Sequence, residues 1–370
     1  MASIPENTEI LDVPLEKTAK NSQPGKSSCE RSIADRKLDL LQRTGLFGTD
    51  TRGASIERAY TADDLREAYR LVHQVYLGTG YLNPEPGGMR LRIYETTSET
   101  ATFVAKKEGR VVGVLSVVGD SPDLGLPSDA AFRPELDKLR ESGSKLCEVT
   151  NQAVAEGFRK SAVPTELMRC AIAHGVKAGY HVAIVSVSPS HHGFYDLMGF
   201  RRLGTERSYS EKLHDPVVAL SMDINQWRRA PVGQTPAEQF MHHFAAVANP
   251  FLSQVADWAK QAVRHFLNPE LLEQLFVADR NFLSECSPAE LSILQRRWGQ
   301  ELFGAVTGNS YPPFATQGPV TCQIEVAVTG VSSPEKNSED QHLPRSTRSN
   351  LRRNRASAPD SGARRPRIRR

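Results

Sequence analysis

The chain has 370 residues, enough for two domains of ordinary size, and 39% of them are hydrophobic. No stretch approaches the roughly 20 apolar residues that span a bilayer, and the five scattered cysteines include no CxxC pair, which argues against a membrane protein, a disulfide framework and a zinc site. The first residues contain no basic segment followed by an apolar run, so we expect a soluble protein of the cytoplasm. The net charge of +3 is unevenly distributed along the chain. Residues 343–370 carry ten Arg and one acid, so the rest of the chain has a net charge of −6.

The first hundred residues change from a polar segment to regular elements. Residues 1–30 are polar and contain three prolines, which predicts disorder. A short helix is indicated near 36–46 and a strand at 55–60. A helix then begins after Thr61 as N-cap, since apolar residues recur at three- and four-residue spacing. The Pro- and Gly-rich stretch 83–88 predicts a loop, either a lid over an acceptor or an ordinary surface loop.

The middle of the chain indicates a sheet. Strands at 100–105 and 111–118 are joined by a hairpin turn, and a long connection with a helix at 134–141 follows. Residues 145–154 then form a strand with a carboxylate, Glu148, at its centre, and a buried carboxylate is costly without a partner or a function. If no bulge intervenes, one face of this strand holds Leu146, Glu148, Thr150 and Gln152, and the other holds Cys147, Val149 and Asn151.

The remaining elements alternate until the composition changes. A helix at 163–178, a strand at 181–187 and a final strand pair at 201–209 and 217–224 complete the sheet. The segment Trp227–Gly233 indicates a boundary between this sheet region and the part of the chain that follows.

Beyond that boundary the sequence predicts helices and then a tail. The starts at Thr235 and Ser287 are capping boxes followed by Pro, so a small helical subdomain is predicted at 234–306. Residues 311–370 lose apolar periodicity and gain Pro, Ser and Arg, which predicts a disordered, Arg-rich tail.

Several motifs follow one another in a familiar order. They are Val111-Val112-Gly113, Gly119-Asp120-Ser121, Glu148-Val149-Thr150, and a Pro-x-His-x-x-Phe-Tyr pattern from Pro189 to Tyr195 that Gly199-Phe200 follows. Over residues 55–228 the sequence resembles the long-chain N-acyl amino acid synthase family, relatives of the acyl-homoserine-lactone synthases with the Gcn5-related N-acyltransferase fold. The resemblance implies an α/β (α+β) catalytic domain at 55–230, with a mixed sheet flanked by helices.

The resemblance also implies where the chemistry lies. Glu148 is the candidate general base for the acceptor amine, and the alternative is a structural ion pair with Arg90 or Arg92. The strand that carries Glu148 is expected to diverge from the next one, so that backbone groups of Val149, Thr150, Asn151, Gln152 and Ala153 bind the pantetheine arm of the donor. The family often has Arg three residues after this acid, where this chain has Asn151.

Further site residues follow from the same resemblance. Tyr195 is the candidate proton donor to the leaving sulfur, or else packs against Phe200. His191 is a candidate acid–base group, or else caps its helix or orients Glu148. The predicted acceptor and acyl pocket consists of Arg90, Arg92, Phe194 and Phe200, and no metal site is predicted.

The segment 156–164 bears on the donor. Acetyl-coenzyme A enzymes of this fold usually have a glycine-rich loop there, whose N–H groups hold a pyrophosphate. This chain retains one glycine and has the basic pair Arg159 and Lys160, which would meet the phosphate or acidic helix of a carrier protein, or else be a solvated loop.

The sequence therefore predicts an enzyme without a bound cofactor that transfers a long acyl chain from acyl-acyl carrier protein, or acyl-coenzyme A, to an amino acid. Its product would be an N-acyl amino acid, a lipid of the signalling type. The alternatives are a coenzyme A-dependent N-acetyltransferase and a non-catalytic binding module with this fold. The Arg-rich tail has three possible targets: an anionic membrane surface, nucleic acid and the acidic carrier protein. We favour the inner membrane face, since the tail lacks the interleaved aromatic residues that stack on nucleic-acid bases.

Overall fold

The computed structural model describes residues 33–208, 216–229, 235–266 and 268–308. Within these ranges seven strands form one mixed sheet of order β1-β2-β3-β4-β5-β7-β6. The strands are β1 Ser55–Arg58, β2 Thr100–Lys107, β3 Arg110–Gly119, β4 Leu146–Val154, β5 Val182–Val187, β6 Arg201–Arg202 and β7 Val218–Asp223. The helices are α1 Ile33–Arg43, α2 Ala62–Gly78, α3 Asp129–Glu141, α4 Val163–Ala178, α5 His192–Leu197, α6 Pro236–His242, α7 Phe251–Phe266, α8 Pro269–Glu273, α9 Pro288–Trp298 and α10 Gln300–Thr307.

Helices cover both faces of the sheet, which confirms the predicted fold class. Helix α2 packs Ala68 and Val72 on one face, beside Ala153 of β4. Helix α4 packs Leu167 and Met168 on the other face. The apolar periodicity of both helices explains this arrangement, because a helix with one apolar stripe is stable only when that stripe is covered.

A β-bulge in β4 changes which face of the sheet its side chains occupy. The pairing of β3 with β4 is irregular between Val114 and Ser116, and Asn151 adopts a positive φ of 53°. The extra residue reverses the alternation. Asn151 therefore hydrogen-bonds to Glu95 and Ser116. Gln152 contacts Tyr195 on the side opposite to Glu148. The simple alternation was predicted for a strand without a bulge, so it does not apply to these two residues.

Strands β4 and β5 are paired over a short distance only. They run parallel from Leu146 opposite Val182 to Glu148 opposite Ile184, and the pairing ends there. The later residues of β4 continue along β3 instead, up to Val154. The predicted divergence is therefore present, and it begins at Glu148.

Some predicted boundaries differ from the observed ones. Helix α3 begins at Asp129 rather than near 134, because Pro134 is accommodated by a turn that departs from helical angles at Phe132. The strand predicted at 201–209 is short: β6 spans two residues and a single bridge joins Arg207 to Val217.

The helices after residue 234 pack directly on the catalytic region. The capping boxes at Thr235 and Ser287 are confirmed. Met241 and Phe244 belong to the same core as α4, and the helices at 269–307 share a core with Tyr69 and Met89. The division into a catalytic domain at 55–230 and a subdomain at 234–306 stays a prediction.

Two predictions concern residues outside the described ranges, namely the disordered segment 1–30 and the Arg-rich tail at 311–370. Within the described part of the chain, no helix has the length and apolarity needed to cross a membrane.

Candidate active site

A cleft of about 720 Å³ opens where β4 and β5 separate. One wall is the end of α2, with Val75 and Tyr76, and another is α5, with Phe194. The unpaired part of β4 lies between these walls. Its backbone N–H and C=O groups are available to an extended ligand, since an edge of this kind offers ready hydrogen-bonding partners.

The structure brings most of the predicted site residues to this cleft. Its lining includes Val149, Thr150, Asn151, Gln152, Ala153, Arg159, His191, Phe194 and Tyr195. Five others lie outside the lining. Glu148, Arg90 and Phe200 are buried, Arg92 is mostly buried, and Lys160 is exposed on the surface.

Glu148 is 1% exposed at the point of divergence. Burial raises its pKa to about 7, although Ser128 and the Arg92 cation act in the opposite direction. The backbone N–H of Ser128 donates to Oε2 of Glu148 over 2.7 Å, and the Ser128 hydroxyl also hydrogen-bonds to this carboxylate. A carboxyl group with a pKa near 7 is suited to accepting a proton at neutral pH.

Two serines that were not predicted connect this carboxylate to the cleft. The hydroxyls of Ser128 and Ser186 are 2.7 Å apart, and Ser186 lines the cleft. Glu148, Ser128 and Ser186 therefore form a continuous hydrogen-bonded path from the buried carboxylate to the open cleft. No local pattern could identify this path, because Ser128 lies 58 residues from Ser186 in the sequence.

A buried ion pair lies behind the bulge of β4. The Arg92 guanidinium is 2.6 Å from Oε1 of Glu95, whose side chain is fully buried. Nδ2 of Asn151 donates to the same oxygen over 3.0 Å, and Arg92 also donates to Thr150 over 3.5 Å. Glu95 was not predicted, although its spacing of three residues from Arg92 is a usable signal. Arg92 is thus paired with Glu95 rather than with Glu148.

Arg90 has few partners for a buried cation. Its nearest carboxylate oxygen is Oε1 of Glu85 at 3.9 Å, and its Nε has no hydrogen-bond partner in the described part of the chain. Burial lowers the pKa of Arg90, and the Arg92 cation adds to this effect. The guanidinium lies 5.5 Å from the ring of Tyr76, which lines the cleft. Arg90 therefore lies one aromatic ring behind the cleft wall.

The loop that holds Arg90 is fixed in the core. Met89 and Leu91 are buried, and Arg280 donates to the carbonyl of Met89 and forms an ion pair with Glu85. The stretch 83–88 is mostly exposed, and it leads into a segment that these contacts hold in place.

Tyr195 is the polar aromatic residue of the donor side. Its hydroxyl donates to Oε1 of Gln152 over 2.9 Å, and its ring makes edge contacts with Phe194 and Phe200. Burial raises the pKa of Tyr195 well above its usual value, so the phenol stays protonated at neutral pH. His191 is exposed at the mouth of the cleft, where it follows Ser188 in a helical turn.

The start of α4 is covered by the chain's own residues. The N–H of Ala162 donates to the carbonyl of Asp50, and that of Val163 donates to the Ser161 hydroxyl. Pro164 has no N–H, and Arg52 donates to the carbonyls of Gly157 and Lys160. At this helix start the N–H groups of Ala162 and Val163 are therefore already engaged, and Pro164 supplies none.

Two other chemistries have no support in the described residues. No group of three or more His, Cys, Asp or Glu side chains there is arranged to hold a metal ion. Cys147 is 1% exposed on the core side of β4, and burial raises the pKa of its thiol, so it is a packing residue rather than a nucleophile.

A mixed sheet that parts beside a cleft, with a buried carboxylate at the divergence, defines an acyltransferase of the Gcn5-related type. Residues 67–223 match a family model described as N-acyl amino acid synthase FeeM. This match extends from α2 to β7 and confirms the resemblance seen in the sequence. The reaction class is acyl transfer to an amine.

Solved structures with similarity to this chain include three synthases. FeeM, an N-acyl amino acid synthase from uncultured soil microbes, is 24% identical, with 50% of this chain and 97% of that chain covered and a TM-score of 0.44. The coenzyme A-dependent acyl-homoserine lactone synthase BjaI is 17% identical, with 54% and 91% covered and a TM-score of 0.37. The AHL synthase LasI is 18% identical, with 49% and 97% covered and a TM-score of 0.38. A search of curated protein sequences gives no match.

Proposed function

We propose that this enzyme transfers a long acyl chain from acyl carrier protein to the amine of an amino acid. The observation that carries the proposal is the cleft beside the divergent end of β4, which is much larger than an acetyl group requires. Its walls include Leu41, Leu46, Val75 and Val217, which suit a hydrocarbon chain. Backbone groups of Val149–Ala153 would bind the pantetheine arm of the donor.

Glu148 acts as the general base through the two serines. The neutral amine nitrogen forms a bond to the thioester carbonyl carbon and the carbon–sulfur bond breaks. As the new bond forms, the nitrogen gives its surplus proton to the Ser186 hydroxyl, Ser186 gives its own to Ser128, and Ser128 gives its own to the carboxylate. Tyr195 protonates the leaving sulfur. The 2.7 Å serine contact and the raised pKa of Glu148 support this sequence.

Two buried polar atoms without partners suit an amino acid acceptor. Within the described residues, Nε of Arg90 lacks an acceptor and Oδ1 of Asn151 lacks a donor. The amine of an amino acid would donate to Asn151, which lines the cleft, and its carboxylate would be attracted by the Arg90 cation behind the ring of Tyr76. Arg92 positions Thr150 and Glu95 around them, while Phe194 and Phe200 support the acyl side.

The start of α4 favours a carrier-protein donor over coenzyme A. Coenzyme A presents a diphosphate, which needs several N–H donors, whereas the carrier arm presents one phosphate. Asp50 and Ser161 engage two of the N–H groups at this helix start, and Pro164 removes a third. The coenzyme A-dependent alternative is weaker for this reason, and the non-catalytic alternative does not explain a buried base connected to an open cleft.

A competition assay tests the donor and the product together. Purified enzyme is given equal concentrations of long-chain acyl-carrier protein and acetyl-coenzyme A with a mixture of the twenty amino acids, and the products are identified by mass spectrometry. We expect N-acyl amino acids with a long chain and a preference of at least about tenfold for the carrier donor. Acetylated products in excess would overturn the donor assignment, and the absence of any acylated amino acid would overturn the function.

The proposed location is the cytoplasm, with the Arg-rich tail at the inner membrane face. Each Arg near an anionic surface contributes about 1 kcal/mol, and a lipid product suits release there. The test is sedimentation with anionic vesicles of the full chain and of a chain ending at Gln341, at low and high salt. We expect salt-sensitive binding by the full chain alone, and equal binding by both chains would exclude the tail as the anchor.

A further inference from the structure

The segment around α1 forms part of the donor cleft, although it precedes the residues that match the synthase family. Lys37, Leu41 and Leu46 line the same cleft as the free edge of β4. The segment is firmly attached there. Oδ1 of Asp35 accepts a hydrogen bond from the N–H of Ala237 over 2.8 Å.

Phe47 fixes the turn after α1. It has a positive φ of 58° and is 5% exposed, so its backbone conformation is maintained by packing. Its ring stacks on Phe194 at 5.7 Å and makes edge contacts with Phe240 and Phe244. Since Phe194 belongs to α5, the position of α1 is tied to the wall of the cleft.

Lys37 presents an available ammonium at this wall. Its Nζ lies over Gly193, where an added Cβ would approach it to 2.6 Å, so a side chain there would require the flexible lysine to move. Among the described residues its single charged neighbour is Asp196 at 4.0 Å. That carboxylate is already 3.0 Å from Nε2 of His192. The Lys37 side chain is 34% exposed and can reach a ligand.

Arg159 supplies a second cation to the same cleft. Its Nε donates to the carbonyl of Val154 over 3.0 Å, which holds the side chain at the end of the free β4 edge. Lys160, its predicted companion, is exposed and lies outside the lining. Lys37 thus takes the position that the sequence suggested for Lys160.

We propose that Lys37 and Arg159 bind the single phosphate of a phosphopantetheine arm. This inference rests on the proposed function, since it names the recognition element for the donor. A phosphate group accepts charge-assisted hydrogen bonds from both cations, which line the same cleft. The donor site is then built jointly by the sheet and by the amino-terminal helix.

Calorimetric titration of the full chain tests this inference without any turnover. The probes are 4′-phosphopantetheine and pantetheine, which differ only in the phosphate. We expect the wild-type protein to bind the phosphorylated form about tenfold more tightly, as one well-placed ion pair allows. Lys37→Ala should abolish most of that preference. Lys37→Arg should restore part of it.

Arg36→Ala is the matched control, because it removes an exposed cation from the same helix. It should leave the preference intact, and circular dichroism should show that all variants are folded. Equal wild-type affinity for the two probes, or an undiminished preference in Lys37→Ala, would overturn the proposal. The binding results do not depend on whether the enzyme makes N-acyl amino acids. The proposed phosphate site and the proposed function can therefore be disproved separately.

Discussion

Replacing Glu148 with Gln should lower turnover by roughly 10²–10⁴, the usual contribution of a general base. The wild-type rate should rise with pH and level off above about 7, because burial sets the pKa of Glu148 near that value and only the ionised form accepts a proton. The variant should show a lower rate with no such transition. The measurement is kcat against pH with the acyl-carrier donor and a saturating amino acid.

Two further variants make this test specific. Glu156→Gln changes an exposed carboxylate just after β4 and should leave the profile unchanged. Ser186→Ala interrupts the path to the base and should lower kcat about tenfold while Glu148 still titrates. A Glu148→Gln enzyme with the wild-type rate at every pH would remove this residue from the mechanism.

The same substitution should change the pH dependence of folding. The reference pKa of Glu148 is 4.5 and the folded value is about 7, so the folded state retains its proton over a wider range. The wild-type protein therefore loses stability as pH rises through this interval, by about 3 kcal/mol at roughly 1.4 kcal/mol for each pKa unit. Urea unfolding at pH 5 and pH 8 should show Glu148→Gln gaining relative stability at the higher pH.

Replacing Tyr195 with Phe should lower kcat by about 10², with little change in KM, if its hydroxyl protonates the leaving sulfur. Burial keeps this phenol protonated across the neutral range, so the loss should be independent of pH there. The loss should shrink when the donor is a thioester of a more acidic thiol, since such a leaving group needs less help from an acid.

The hydrogen bond from Tyr195 to Gln152 offers a purely structural explanation for such a loss of activity. A control variant distinguishes this explanation from a catalytic role of the phenol. Gln152→Leu removes the partner but retains the phenol, so it should cost less activity than Tyr195→Phe. Equal losses in both variants, with no dependence on the leaving thiol, would assign Tyr195 to positioning alone.

The sequence was sufficient to predict the sheet because local signals there are strong. Hairpin turns, helix caps and the alternation of apolar residues each act over a few residues, and they agree along β2, β3 and α2. The divergence after Glu148 followed from the resemblance and is confirmed by the pairing.

The arrangement of the site needed the structure, because it depends on contacts between distant residues. A simple alternation of apolar and polar residues does not predict the bulge at Asn151. The bulge directs the side chain of Asn151 toward Glu95. Ser128, Ser186 and Lys37 come from three separate elements, and none lies in a motif that specifies its role. Lys160 was predicted by its charge alone; it is exposed, its carbonyl accepts a hydrogen bond from Arg52, and it lies outside the cleft lining.

The attachment of α1 to α6 has a consequence for the biogenesis of the enzyme. Asp35 and Ala237 are 202 residues apart, and Phe47 also requires Phe240 and Phe244. On the ribosome these partners emerge long after the first helix, and loops of this length close late and slowly. The cleft therefore lacks one wall until most of the described chain has been translated. A nascent chain cannot complete this cleft before Glu148 and the loop that holds Arg90 have been made.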